Sequence, residues 1–106
     1  MQIKFDKQDI IDSICVFVAA THNNGEVEDS EPHLVQNPEV FFDKVRGFKA
    51  SGIIYGHHTI LNQQQLTDAV ALYLSAYYSF ISDRLLINFN YDEANGEFTV
   101  DIVVEH

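Results

Sequence analysis

Apolar residues recur at helical spacing in two stretches. Ile10, Ile11, Ile14, Cys15 and Val18 mark the first, and Leu66, Val70, Tyr73, Leu74 and Tyr77 the second. Each set forms one stripe, the pattern of a helix with a single buried face. Asp6 with Asp9, and Asn62 with Gln65, stand where an N-cap side chain and its reciprocal partner would close the first turn. The Asn23-Asn24-Gly25 run is placed to stop the first helix, and Ser82-Asp83 the second.

Beyond the second helix the period changes to two. Leu85, Ile87, Phe89 and Tyr91 alternate with Leu86, Asn88 and Asn90, and Phe98, Val100, Ile102 and Val104 alternate with Thr99, Asp101, Val103 and Glu105. This predicts two strands joined through the 92–96 loop (DEANG), with Asn95-Gly96 supplying positive-φ positions. A weaker hairpin follows the first helix: a strand at 40–42, the DKVRG turn at 43–47 and a return strand over 48–55.

The two halves align without a gap. Segment 5–20 matches 61–76 at Gln8/Gln64, Asp12/Asp68 and Ala20/Ala76, and apolar character is kept at Phe5/Leu61, Ile10/Leu66 and Ile14/Val70. The expectation is an α+β fold of order αββαββ. It has two helices on one face of a four-stranded antiparallel sheet, related by a pseudo-twofold axis, in a single domain of two repeats at about 1–56 and 57–106. Two other arrangements fit the pattern: hairpins that do not join into one sheet, and an edge strand that pairs across a homodimer.

The halves differ in three places. Ala50 and Gly52 stand where the second copy has Val100 and Ile102, so volume is missing from a core face, through close packing or a pocket. Segment 24–38 is longer than its counterpart, carries Glu26, Glu28, Asp29 and Glu31, and reads as a flexible insertion, with an edge strand near Leu34-Val35 as the alternative. His57 and His58 follow Gly56 at the junction before the second helix.

Composition narrows the function classes. At 106 residues, 46% hydrophobic, the chain can bury a core without disulfides or metal. Sixteen acidic against six basic residues give a net charge of −10, which repels phosphate backbones and anionic membranes and excludes nucleic acid and membrane as partners. The single cysteine, Cys15, cannot form an internal disulfide, and its apolar neighbours place it in the core. The opening MQIKFDKQD carries charges where a signal peptide needs an apolar run, and no stretch approaches the roughly 20 apolar residues of a membrane span. A cytoplasmic address is expected.

A helix followed by a hairpin, twice over, opens with QDIIDSICVFVA and closes with LLINFNYDEANGEFTVDIVVE. In this the chain resembles the YxcD-like family of small uncharacterised Bacillus proteins over most of its length. The resemblance implies a cytoplasmic bacterial protein of unknown function and carries over no catalytic residue. The acidic insertion in the first half is the departure from the family pattern.

No phosphate loop, dinucleotide fingerprint, nucleophile elbow or HExxH motif occurs, so no catalytic residue and no cofactor is assigned, and the reading points away from an enzyme. His57, His58 and His33 are the candidate metal ligands, since neutral imidazole suits Zn, Cu or Ni. Neighbouring His57 and His58 point in opposite directions if the segment is extended, so one at most faces a shared site. Asp12 and Asp68, retained in both helices, are candidates for a paired-carboxylate site across the axis. The leading reading is a small acidic, non-enzymatic binding or regulatory module acting through protein contacts, with an unknown protein or a second copy as partner. The alternative is a small-molecule or metal-binding protein, with hydrolytic chemistry, built around Ala50, Gly52, His57 and His58.

Overall fold

The computed structural model describes residues 1–80 and 84–105, and these described residues form two helices and six strands. The order is β1 (Gln2–Phe5), α1 (Lys7–Thr21), a 3-10 turn (Pro32–Leu34), β2 (Gln36–Asp43), β3 (Gly47–Ile54), β4 (His57–Leu61), α2 (Gln63–Tyr78), β5 (Leu85–Asp92) and β6 (Glu97–Val104). The expected four-stranded sheet is replaced by two three-stranded antiparallel sheets, β1-β6-β5 and β2-β3-β4. The architecture is α+β.

Both additional strands lie immediately before a helix. β1 pairs with β6, setting Phe5 opposite Val100, and β4 pairs with β3, setting Leu61 opposite Ala50. Each half therefore lends its first strand to a hairpin of the other half. With four and five residues, these strands are too short for a period-two pattern to stand out. The β3–β4 connection is a two-residue turn in which both Tyr55 (φ 51°) and Gly56 (φ 77°) are left-handed, the geometry of a type I′ hairpin. A tyrosine at the first of those positions hides the turn from sequence rules.

The helix starts follow the capping logic. Asp6 and Asn62 are the N-caps, each bonded to the backbone amide of Asp9 or Gln65, whose side chain returns the bond to the cap amide. α1 ends at Thr21, with Asn24 and Gly25 left-handed just beyond. α2 stops at Tyr78 because Ser79 is left-handed (φ 60°), ahead of the expected Ser82-Asp83 stop; Ser82 and Asp83 lie outside the described residues.

The inward residues of both sheets meet the helices in one cluster. Ile10, Ile14 and Val18 of α1 and Leu66, Val70 and Leu74 of α2 pack with Phe48, Ala50 and Ile54 of β3 and Val100 and Ile102 of β6. α1 and α2 pack on each other, and each touches strands of both sheets. Aromatic rings join the sheets: Phe42 stacks on Tyr91 at 5.2 Å, and Phe48 packs on Phe89 at 5.5 Å. At the hairpin tips Lys44 reaches Glu93 at 3.4 Å, an exposed pair that adds little stability.

The 24–38 segment has its own internal bonds. Asn23 Nδ2 donates to the Glu26 and Glu28 carbonyls, Ser30 Oγ donates to the Val27 carbonyl, and the Tyr55 hydroxyl donates to Glu31 at 3.2 Å. Instead of a plain insertion, it contains the 3-10 turn packed on α1 and the start of β2, which begins at Gln36 rather than Val40.

Candidate functional site

A groove of about 330 Å³ runs between α1, α2 and the 3-10 turn. α1 supplies Asp12, Cys15 and Val16 along one helical face, α2 supplies Tyr73 and Tyr77 one turn apart, and the turn supplies Pro32 and His33. Asp12 and His33, candidates on separate sequence grounds, thus line the same depression. Tyr73 packs edge-on against Phe5 at 5.9 Å and lies 5.1 Å from Tyr77, a residue 55% exposed. Asp12 accepts a hydrogen bond from Gln8 Nε2 at 3.0 Å through one oxygen.

The electrostatics of this groove are negative. Burial raises the Cys15 thiol pKa and the Asp12 charge adds to the rise; burial and then Asp12 do the same for the Tyr73 phenol. Cys15 is half-buried at the surface, not a core residue as its neighbours in sequence suggest, and its thiol stays protonated near neutrality.

The other candidates are dispersed. Asp68 is exposed and bonded to Gln64 at 3.0 Å, repeating the Gln8–Asp12 arrangement on its own helix. His57 and His58 fall on opposite faces of β4. His57 stacks on His22 at 5.6 Å, and His22 Nε2 lies 3.2 Å from Thr59 Oγ1. Among the described residues no three His, Cys, Asp or Glu side chains gather to hold a metal ion. The space beside Gly52 is filled by Val35, which caps the 3-10 turn just before β2, and Val18 from α1, and Ala50 is buried in the core.

His58 instead belongs to the outer face of the β2-β3-β4 sheet. There, Glu39, Phe41, Lys49, Ser51 and Ile60 surround a shallow depression of about 330 Å³ whose floor includes Ala50. The register explains the grouping: Phe41 lies opposite Lys49, and Ser51 sits between Glu39 and Ile60. Phe41 is 46% exposed and Ile60 63%.

Residues 1–103 match the family described as "Protein of unknown function (DUF2653)". The chain belongs to DUF2653. It is similar to the "Uncharacterized protein YxcD" of Bacillus subtilis (strain 168), 26% identical over 96 residues that cover 91% of this chain and 88% of the relative. No solved structure matches the chain. In this DUF2653 protein no described helix is long and apolar enough to cross a membrane.

Sequence reasoning missed the two tyrosines as site residues because it read them as part of the second helix's buried apolar stripe. It missed the outer-sheet patch because Ile60 lies on a strand it did not find. The His22–His57 contact spans two elements, and nothing local signals it.

Proposed function

We propose that this protein is a small non-enzymatic binding module acting through protein contacts, and that the outer face of the β2-β3-β4 sheet takes a second copy of the chain. The carrying observation is the pairing of exposed Phe41 and Ile60 with one acid, Glu39, and one base, Lys49, on a chain of net charge −10. Two copies repel one another over most of such a surface. On this face, apolar area is available and Glu39 of one copy can meet Lys49 of the other about a twofold axis.

Sedimentation velocity tests the reading. Wild type is expected to dimerise, Ile60→Glu and Glu39→Lys to be monomeric, and the Glu39→Lys/Lys49→Glu swap to recover the dimer. A wild type that stays monomeric at the highest attainable concentration overturns it.

We further infer that the chain is one domain built from two copies of a βαββ unit. The matched caps, the two Gln–Asp pairs and the equivalent registers of Phe5 with Val100 and Leu61 with Ala50 support this. The break at 56/57 falls at the Tyr55-Gly56 turn, and the Met1 carbonyl accepts from the Val104 amide at 2.9 Å. A circular permutant opened at 56/57 is expected to fold with the parent's cooperativity; one that fails to fold speaks against the paired-unit reading.

A further inference from the structure

We propose that the groove between α1, α2 and the 3-10 turn binds an arginine side chain of a basic partner peptide, with Asp12 as the anion and Tyr73 and Tyr77 as the aromatic wall. This goes beyond the self-association above: it uses the helical face, and its partner carries the opposite charge.

The groove has both components of a guanidinium site. Asp12 spends one carboxylate oxygen on Gln8 and leaves the other for a ligand donor. Tyr77 shows 55% of its surface and leans on Tyr73, whose ring is fixed by Phe5, so the wall is preformed at one end and open at the other. Val16 and Pro32 supply apolar surface for the methylene stem. A planar guanidinium can stack on a tyrosine face while donating to a carboxylate, which an ammonium does less well.

Among the described residues no Lys or Arg lines the groove, and His33 is the one base in its lining. From Gln8 to Asp43 the sequence holds eight carboxylates and no Lys or Arg, and α2 holds none either. The nearest base in sequence, Lys7, lies over the Phe98 ring at 5.9 Å. Burial first and the Asp12 charge second raise the pKa of both Cys15 and Tyr73, in keeping with a carboxylate that faces the groove.

The matched position in the second half marks the site as singular. Asp68 repeats Asp12, but the positions aligned with Tyr73 and Tyr77 are Phe17 and Thr21. The carboxylate is duplicated; the tyrosine wall is not.

An amide-resolved NMR titration of the full chain with a capped Ala-Arg-Ala peptide tests the proposal. Shifts are expected at Asp12, Cys15, Tyr73 and Tyr77. Asp12→Asn, which keeps the acceptor for Gln8, should weaken binding roughly tenfold or more, and Tyr77→Ala should weaken it as well. Matched thermal unfolding of the variants separates this from misfolding. The proposal is overturned if the neutral citrulline peptide binds equally, if Asp12→Asn binds as wild type does, if the shifts centre on residues 26–31, or if spermidine outcompetes the peptide at equal charge.

Discussion

Val35 and Gly52 fit together as knob and gap: a methyl placed at Cβ of Gly52 would stand 3.0 Å from Val35 Cγ1 and 3.5 Å from Val18 Cγ2. The backbone of Gly52 is ordinary extended strand, so the glycine is there for space, not for φ. The long first-half segment thus supplies volume that β3 lacks.

Gly52→Ala is therefore expected to destabilise the fold by about 1–3 kcal/mol through overpacking. Val35→Ala in the same chain should recover part of that loss. Urea denaturation of the two single variants and the double variant measures the coupling, and strict additivity would show that the two residues do not share the space.

Asp6→Ala and Asn62→Ala each remove a reciprocal cap. Each is expected to cost about 1 kcal/mol, and because the caps serve different helices the two losses should add. Chemical denaturation with helix circular dichroism reads both effects.

The hairpin tips give a pH dependence. Asp43 is held below the usual aspartate range mainly by the Val45 amide, and Asp92 mainly by the Asn95 side chain. Since the folded pKa lies below the unfolded one, the unfolded chain takes up protons first as pH falls. This stabilisation is complete above the ordinary aspartate pKa and is lost as pH drops through the depressed folded values. Carboxyl titration by NMR should place Asp43 and Asp92 below free aspartate, and Asn95→Ala should raise Asp92 alone.

Cys15 should react slowly with a thiol reagent at neutral pH, because burial first and Asp12 second keep it protonated. Asp12→Asn removes the charge and should speed the reaction below the thiol pKa while leaving the pH-independent upper rate unchanged. A pH–rate profile separates that shift from greater exposure, which raises the rate at every pH.

Local chemistry was legible where neighbours in sequence are also partners in space. Both caps, both helical stripes and the 85–104 hairpin depend on contacts a few residues apart, and Asp6, Asn62 and Gly96 carry those signals themselves. The resemblance to YxcD-like proteins was legible for the same reason, being written in those helical and hairpin patterns. Tertiary structure decided the rest. β1 and β4 are strands because β6 and β3 offer them a ladder; four or five residues alone do not bury enough surface to state a period. The split into two sheets, the filling of Gly52 by Val35, and the meeting of Asp12 with Tyr73, Tyr77 and His33 all join residues far apart in the chain. Sequence alone determined which residues seek the core and where the helices begin, whereas only packing decided which surfaces came together to leave a groove.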